Sequence, residues 1–279
     1  YMETAIYNAL MASLKADASQ IAKYSPLEGW RHEGEEQCGM HINCCNANGP
    51  RAFAMIPQFA YQVQDDCVRV NFYAPSEAEL VLPGKKPVRL KQTTDYPRTD
   101  QIEIEVDPAK ETTFTIALRI PAWSKIAVVS VNGQPQDGVL QGAYLPVNRK
   151  WKKGDRITVK LDLRARLVER NQAQAIVRGP VVLARDSRFG DGFVDEASVV
   201  VSKDGYVELT PVKTPGFAWL AFTAPMVLGT DLESNRAPKQ IHFCDFASAG
   251  NTWDKTQRYR VWLPKTLNVM HSPYRPYNQ

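Results

Sequence analysis

The sequence predicts a mainly β protein, with two β-sandwich domains following a short helical region. Three observations predict it. Up to about residue 62 the apolar residues recur with the i, i+3, i+4 spacing of helices. From about residue 66 the period changes to 2. The remaining stretch holds many short strand candidates set apart by turn residues, more than one sandwich of ~100 residues needs.

The elements follow in order. Met2, Ala5, Ile6, Ala9, Leu10 and Leu14 form the apolar stripe of an opening helix. No Ser, Thr or Asp cap precedes it, and no basic n-region or signal-type apolar core is present, so the sequence reads as starting inside a larger protein. A loop through Ser25-Pro26-Leu27-Glu28-Gly29-Trp30 and a polar segment, Arg31 to Gln37, come next. A second helix is expected from near Pro50, with Asn46 or Asn48 as its cap and Pro50 in its first turn. Phe53, Ala54, Ile56, Phe59 and Ala60 give it an apolar face, and Pro57 is expected to kink it or mark a change of packing.

Val68, Val70 and Phe72 then alternate with Arg69, Asn71 and Tyr73. Further strands are expected at 78–82, 87–92, 101–106, 112–120, 126–131, 156–162, 174–184, 197–201, 205–210, 217–223, 239–246 and 257–263. Pro83-Gly84, Asn132-Gly133, Lys153-Gly154-Asp155 and Asp204-Gly205 supply turns between them. A seam is expected near 164–172, where the polar run Glu169-Arg170-Asn171-Gln172 falls. The expected domains are therefore 1–64 (helical), 65–166 (first sandwich) and 167–279 (second sandwich with a tail lacking periodicity).

Composition excludes several classes. With 44% hydrophobic and 23% charged residues the chain is ordinary globular material and not disordered. Lys+Arg 34 against Asp+Glu 30 leaves +4, spread along the chain, so no clustered basic face points to nucleic acid. No run of about 18 apolar residues is present, so no membrane span is expected. Five cysteines is an odd and sparse number, which argues against a disulfide scaffold.

What stands out is their placement, with Cys38, Cys44 and Cys45 close together. Adjacent thiols at a loop–helix junction suit one soft metal such as zinc, which would hold them as thiolates, the nucleophilic form. A buried pair of small residues and a vicinal disulfide are the other readings. Cys38, His41, Glu35 and Glu36 add metal-ligand types nearby, but Cys-x5-Cys-Cys is not a finger spacing and no second cluster completes four ligands. Cys67 and Cys244, in strands, read as core residues. Asp95, in Thr94-Asp95-Tyr96-Pro97, reads as a turn acceptor. Trp123, Trp151, Trp219 and Trp262 lie in or beside strands and read as packing residues, though Trp also stacks on sugars. His32, His242 and His271 show no acidic or nucleophilic neighbour pattern. The sequence holds no GxGxxG, P-loop, HExxH or GxSxG motif.

Several segments together resemble one family. Cys44-Cys45-Asn46-Ala47-Asn48-Gly49-Pro50-Arg51 resembles the Cys-Cys-x-x-Asn-x-x-Arg pattern of β-L-arabinofuranosidase-type glycoside hydrolases, family 127, once called DUF1680. Ala5-Ile6-Tyr7-Asn8, Tyr24-Ser25-Pro26-Leu27-Glu28, Val70-Asn71-Phe72-Tyr73-Ala74-Pro75-Ser76 and Thr94-Asp95-Tyr96-Pro97 fit in order. So do Leu118-Arg119-Ile120-Pro121-Ala122-Trp123, Val131-Asn132-Gly133, Arg149-Lys150-Trp151-Lys152-Lys153-Gly154-Asp155, Arg178-Gly179-Pro180-Val181-Val182 and Arg260-Val261-Trp262-Leu263-Pro264.

The resemblance implies an (α/α)6 barrel followed by two β-sandwiches, of which residues 1–64 would be the last barrel helices. It implies retaining hydrolysis of a glycosidic bond, with Cys44 as nucleophile and Zn²⁺ held by Cys44 and Cys45. The acid/base Glu and a Glu-x-Cys pair that completes the metal site are expected upstream of Tyr1. Glu36-Gln37-Cys38 has that spacing but lies too close to Cys44 to be the same motif. The active site is therefore expected to be incomplete within these residues. The implied partner is a carbohydrate, and the implied compartment is the periplasm or exterior of a bacterium. The competing reading is a non-catalytic carbohydrate-binding or scaffold protein with structural cysteines. The sugar, its linkage and the oligomeric state are not legible.

Overall fold

The computed structural model describes residues 1–33, 44–229 and 237–266. It divides into two compact units, Ala47–Leu163 and the combination of Tyr1–Asn46 with Arg164–Gln279. The protein is mainly β, as its alternating patterns predict.

The Ala47–Leu163 unit holds two sheets. The smaller runs in the order Tyr144–Trp151, Thr112–Arg119, Cys67–Val70, Tyr61–Gln64. Thr112–Arg119 and Cys67–Val70 pair in parallel and the others antiparallel. The larger, all antiparallel, begins Ser76–Leu82, Lys86–Thr94, Gln101–Pro108, Asp155–Lys160 and ends on Val128–Val131 and Gln134–Pro135. Strict alternation fixes which face is inside. Along Gln101–Pro108 every second side chain is buried, Ile102, Ile104 and Val106 at 0% exposure. Phe114, Ile116, Leu118 and Trp151 do the same from the smaller sheet. These two apolar faces make a two-layer sandwich core.

In the other unit one branched antiparallel sheet runs Ser198–Val200, Ala221–Leu228, Lys239–Asp245, Val181–Asp186, Ala173–Arg178, Ala165–Arg170, Tyr206–Val207. Val181–Asp186 is the branch point, pairing also with Tyr259–Arg260. Its two faces carry separate apolar clusters. Ile176, Leu183, Phe222 and Phe243 lie in one, and Ala175, Ala184, Cys244 and Phe246 in the other. The helical opening segment joins this unit. Asn8 donates from Nδ2 to the Pro180 carbonyl at 2.8 Å and accepts from the Val182 N–H at 2.8 Å. Tyr7 stacks on Trp219 with ring centroids 5.9 Å apart. Glu28–Gly29 adds a short strand to Tyr259–Arg260.

Several expected boundaries move. Residues 1–46 group with the C-terminal sheet, and the first unit ends at Leu163. The division at Leu163/Arg164 falls at the edge of the expected 164–172 seam, but the run Glu169-Arg170-Asn171-Gln172 does not itself mark it. That run is the tip of a hairpin between Ala165–Arg170 and Ala173–Arg178, with Asn171 at φ +53°. It is polar because that end of the strand is exposed. Tyr144–Trp151, absent from the expected strands, is a full strand whose inward residues Leu145, Val147 and Trp151 alternate with Pro146, Asn148 and Lys150. The expected 174–184 strand is split in two by Gly179-Pro180.

The second helix spans Cys44–Ala60, so it starts before Pro50 and runs past Pro57. Asn46 and Asn48 are inside it rather than capping it, and Pro50 falls beyond the first turn. The Asn46 side chain instead accepts the Ile21 N–H at 3.4 Å. No described residue of this helix is buried, and Phe59 is 41% exposed.

Candidate functional site

Cys44 and Cys45 open the helix Cys44–Ala60. Both side chains are half-buried and neither is in a disulfide, so the vicinal-disulfide reading does not describe this structure. Burial, together with a hydrogen bond and charge repulsion from Cys44, pushes the Cys45 thiol above its ordinary pKa. The Lys23 ammonium opposes this more weakly. A cation bound beside Cys45 would offset that repulsion.

The pair is anchored from outside the helix. The Asn46 contact to Ile21 ties the first turn to the 13–22 segment, where the Ala22 N–H donates to the Ser13 carbonyl at 2.7 Å. Ile21 and Ala22 are buried.

A zinc ion fits this chemistry in part. Cys44 and Cys45 supply two soft ligands of the four that a closed site takes. No group of three or more His, Cys, Asp or Glu side chains able to hold a metal occurs among the described residues. Cys38, His41, Glu35 and Glu36 lie outside the described residues.

The other sequence candidates fall elsewhere. Cys244 is fully buried, and burial pushes its thiol well up; Cys67 is half-buried in its strand. The Asp95 turn works through its carbonyl, which accepts from the Arg98 N–H at 2.8 Å. Trp151 is core, its Nε1 donating to the Phe114 carbonyl at 3.0 Å. Trp219 and Trp262 pack against the two apolar clusters of the C-terminal sheet. His32 is exposed, and His271 lies outside the described residues.

His242 does have an acidic neighbour. Its backbone N–H donates to Asp191 Oδ2 at 2.6 Å and its Nδ1 lies 3.2 Å from the same oxygen. The separation is 51 residues, so no local pattern announces it. Asp191 also pairs with Arg185, a buried guanidinium six residues before it and 3.8 Å away.

Comparison with known proteins places the fold. Residues 67–163 match the model of the beta-L-arabinofuranosidase GH127 middle domain. A GH127 beta-L-arabinofuranosidase from Geobacillus stearothermophilus T6 superposes with a TM-score of 0.76 at 22% identity, over 94% of this chain and 45% of that one. Another structure, described as a GH127 beta-arabinofuranosidase, gives 0.76 at 23% identity over 95% and 45%. A third, described as a glycoside hydrolase, gives 0.75 at 23% over 94% and 47%. Identities this low show a shared fold, and the chain spans a little under half the length of each of these proteins. No curated protein matches the chain. Residues 67–163 thus carry the likeness to the GH127 middle domain, and nearly the whole chain shares the fold of the GH127 structures.

Proposed function

We propose that these residues are the C-terminal part of a retaining glycoside hydrolase that releases terminal β-L-arabinofuranosyl or closely related units, with Cys44 as nucleophile. The observation that carries the reading is the Cys44-Cys45 pair at the start of a helix that leads directly into a GH127 middle domain. The helix Cys44–Ala60 supports the proposed helical domain as well. It is amphipathic in sequence, yet none of its described residues is buried. Phe59 at 41% and Met55 at 37% exposure suit packing against further helices.

In this reading Cys44 and Cys45 hold a zinc ion together with ligands from outside the described residues. The metal's chemistry is to keep sulfur ionised at neutral pH. Cys44 sulfur attacks the anomeric carbon and forms a C–S bond as the glycosidic C–O bond breaks. A Glu outside the described residues gives the departing oxygen its proton. That Glu then takes a proton from water, which displaces the thiolate and leaves the anomeric configuration retained. Asn46 positions the thiols by pinning the first helical turn to Ile21. An extracellular or periplasmic site of action suits a polysaccharide-degrading role.

The experiment uses the full-length gene product. Zinc is measured by elemental analysis, and turnover of an aryl β-L-arabinofuranoside by release of the phenol. Cys44→Ala is expected to lower kcat by ~10³-fold or more, as removal of a covalent nucleophile does. Cys45→Ala is expected to lower bound zinc as well as turnover. A protein that binds no zinc and turns over unchanged as Cys44→Ala sinks the mechanism and leaves a scaffold role for the cysteines.

A further inference from the structure

The first turn of the helix Cys44–Ala60 is held through Asn46, whose side chain accepts the Ile21 N–H. What holds Ile21 therefore bears on how firmly the thiols are placed.

Ile21 lies in one leg of a small hairpin. The Ala22 N–H donates to the Ser13 carbonyl at 2.7 Å, Leu14 and Ile21 form an antiparallel bridge, and the Lys15 N–H donates to the Gln20 carbonyl at 3.0 Å. The base is buried at Ser13, Ile21 and Ala22, while the tip, at Ala16, is exposed. A two-stranded hairpin this short is marginal on its own, so its direction depends on what its tip touches.

The tip is tied to the loop after Lys239–Asp245, in the same compact unit. The Ala16 N–H donates to the Asn251 carbonyl at 2.8 Å, and Lys15 Nζ stands 5.9 Å from the centre of the Trp253 ring. Asn251 is itself fixed at both ends of its amide. Its Nδ2 donates to the Phe217 carbonyl at 3.0 Å, and its Oδ1 accepts from Arg188 Nη1 at 2.9 Å. That requires one donor and one acceptor side by side, a set that Asn offers and Asp or Leu does not. Arg188 is anchored in turn on the buried carboxylate of Asp186, from Nε at 2.8 Å and from Nη2 at 2.6 Å. Asp186 also accepts the N–H of Gly250, the residue before Asn251, at 2.9 Å. Hydrogen bonds to charged groups are the strong ones, so this loop is a firm platform at the end of Val181–Asp186.

We propose that Asn251 is a positioning residue for the Cys44-Cys45 pair. Its carbonyl holds the hairpin tip, and the hairpin holds the first helical turn through Ile21 and Asn46. The effect on turnover rests on the reading of Cys44 as nucleophile; the effect on the placement of the thiols does not.

The test uses the full-length protein and two variants. Asn251→Leu keeps the shape of the side chain and removes both amide hydrogen bonds. Ala16→Pro removes only the N–H that the Asn251 carbonyl accepts. Ala16 is the second residue of a turn closed by the Ala18 N–H to the Lys15 carbonyl at 2.8 Å, a place that suits proline. After chelation of metal, alkylation of each cysteine by iodoacetamide is timed by peptide mass spectrometry. Cys244 is the control, because it is fully buried in the sheet of the same unit and reacts only when that sheet opens. Alkylation of Cys44 and Cys45 is expected to quicken about tenfold in Asn251→Leu and about threefold in Ala16→Pro, with Cys244 unchanged. With metal restored, kcat on an aryl β-L-arabinofuranoside is expected to fall by similar factors at unchanged KM, the split that a misplaced nucleophile gives.

Unchanged alkylation of Cys44 and Cys45 in the folded variants, or equal acceleration at Cys244, overturns the proposal. Ala16→Pro sits in an exposed turn, so it decides the matter even where Asn251→Leu does not fold. Turnover that needs Cys44, with alkylation indifferent to both variants, removes the strut and leaves the cleavage reading standing. Faster alkylation of the pair with Cys244 silent, in a protein whose turnover ignores Cys44→Ala, supports the strut and removes the cleavage reading.

Discussion

The two compact units bury different things. The Ala47–Leu163 sandwich buries the alternate aliphatic residues of regular strands, and its ion pairs lie mostly outside. Arg89, which pairs with Glu77 and Asp107, is 39% exposed, and Lys150, which pairs with Glu111, is 65% exposed. The other unit buries charge. Arg31, Arg185, Asp186, Asp245 and Arg260 are all buried there, along with Gln174 and Asn8. Asp245 shows how these are accommodated, accepting the Leu220 N–H at 2.8 Å and the Ser248 N–H at 2.9 Å. A hydrophobic face specifies a sandwich through area and register. A branched sheet with irregular loops leaves more backbone groups unpaired, and buried charged side chains satisfy them. The difference teaches where each unit is fragile: one in its apolar volume, the other in its polar connections.

The largest effect expected on stability comes from cutting the main polar connection. Arg31 is fully buried, lies over the Phe246 and Tyr259 rings at 4.7 and 5.0 Å, and donates to three carbonyls. It ties the opening segment to the loop after Lys239–Asp245. Arg31→Ala leaves those carbonyls unpaired around a cavity and is expected to cost about 4 kcal/mol. Hydrogen-exchange mass spectrometry checks where. Protection should fall in 1–33 and in the strands of the C-terminal sheet, and persist in Gln101–Pro108. Equal loss in both units would break the comparison.

A smaller effect probes close packing within the same unit. Gly250 holds φ +60°, and a Cβ there would stand 2.5 Å from Tyr259 Cδ1. Tyr259 is fully buried and its hydroxyl donates to the Pro26 carbonyl at 2.6 Å, so the ring has nowhere to retreat. Gly250→Ala is expected to cost about 2–3 kcal/mol. Gly133, also at positive φ but with nothing within 4 Å of its Cβ position, should lose only about 1 kcal/mol on the same change. Equal denaturant midpoints for the two variants would show that the crowding beside Tyr259 does not matter.

These residues also mark what a sequence displays. The period-2 pattern in Gln101–Pro108 is local, so the sandwich core is legible from order alone. Tyr144–Trp151 is missed because Pro146 and its basic residues mask the alternation of Leu145, Val147 and Trp151. The attachment of residues 1–46 to the C-terminal sheet rests on single long-range contacts, such as Asn8 to Pro180 across 172 residues. Nothing near Asn8 or Arg31 in the chain signals such partners. At the candidate site the Cys44-Cys45 pair is legible because the two thiols are neighbours. The grouping of His242 with Asp191 is not, because the two lie 51 residues apart in the chain.

The smallest effect is on the sandwich in acid. Asp155 is buried, which pulls its pKa upward, but the Asn132 amide at 2.8 Å, the Lys152 N–H at 3.0 Å and Arg149 outweigh burial and hold it below the usual carboxylate value. Asp107 is also lowered, first by its hydrogen bond from Arg89 and then, against burial, by the Gly154 N–H at 2.8 Å. Both carboxylates brace the turn before Asp155–Lys160, so the sandwich does depend on charge at this one corner. A group whose folded pKa is depressed binds fewer protons folded than unfolded. Its contribution is complete above the unfolded value near ~3.9 and is lost as pH falls through the folded value. Asp155→Asn turns one accepting oxygen into a donor facing a donor and is expected to cost about 1–2 kcal/mol at pH 7. It should also flatten the loss of sandwich stability below about pH 4. Thermal melts of the wild type and the variant between pH 7 and pH 3, with protection in Gln101–Pro108 as the local readout, check both parts. Parallel acid limbs would mean that Asp155 is ionised equally in both states, and that this corner of the sandwich is held by packing like the rest of it.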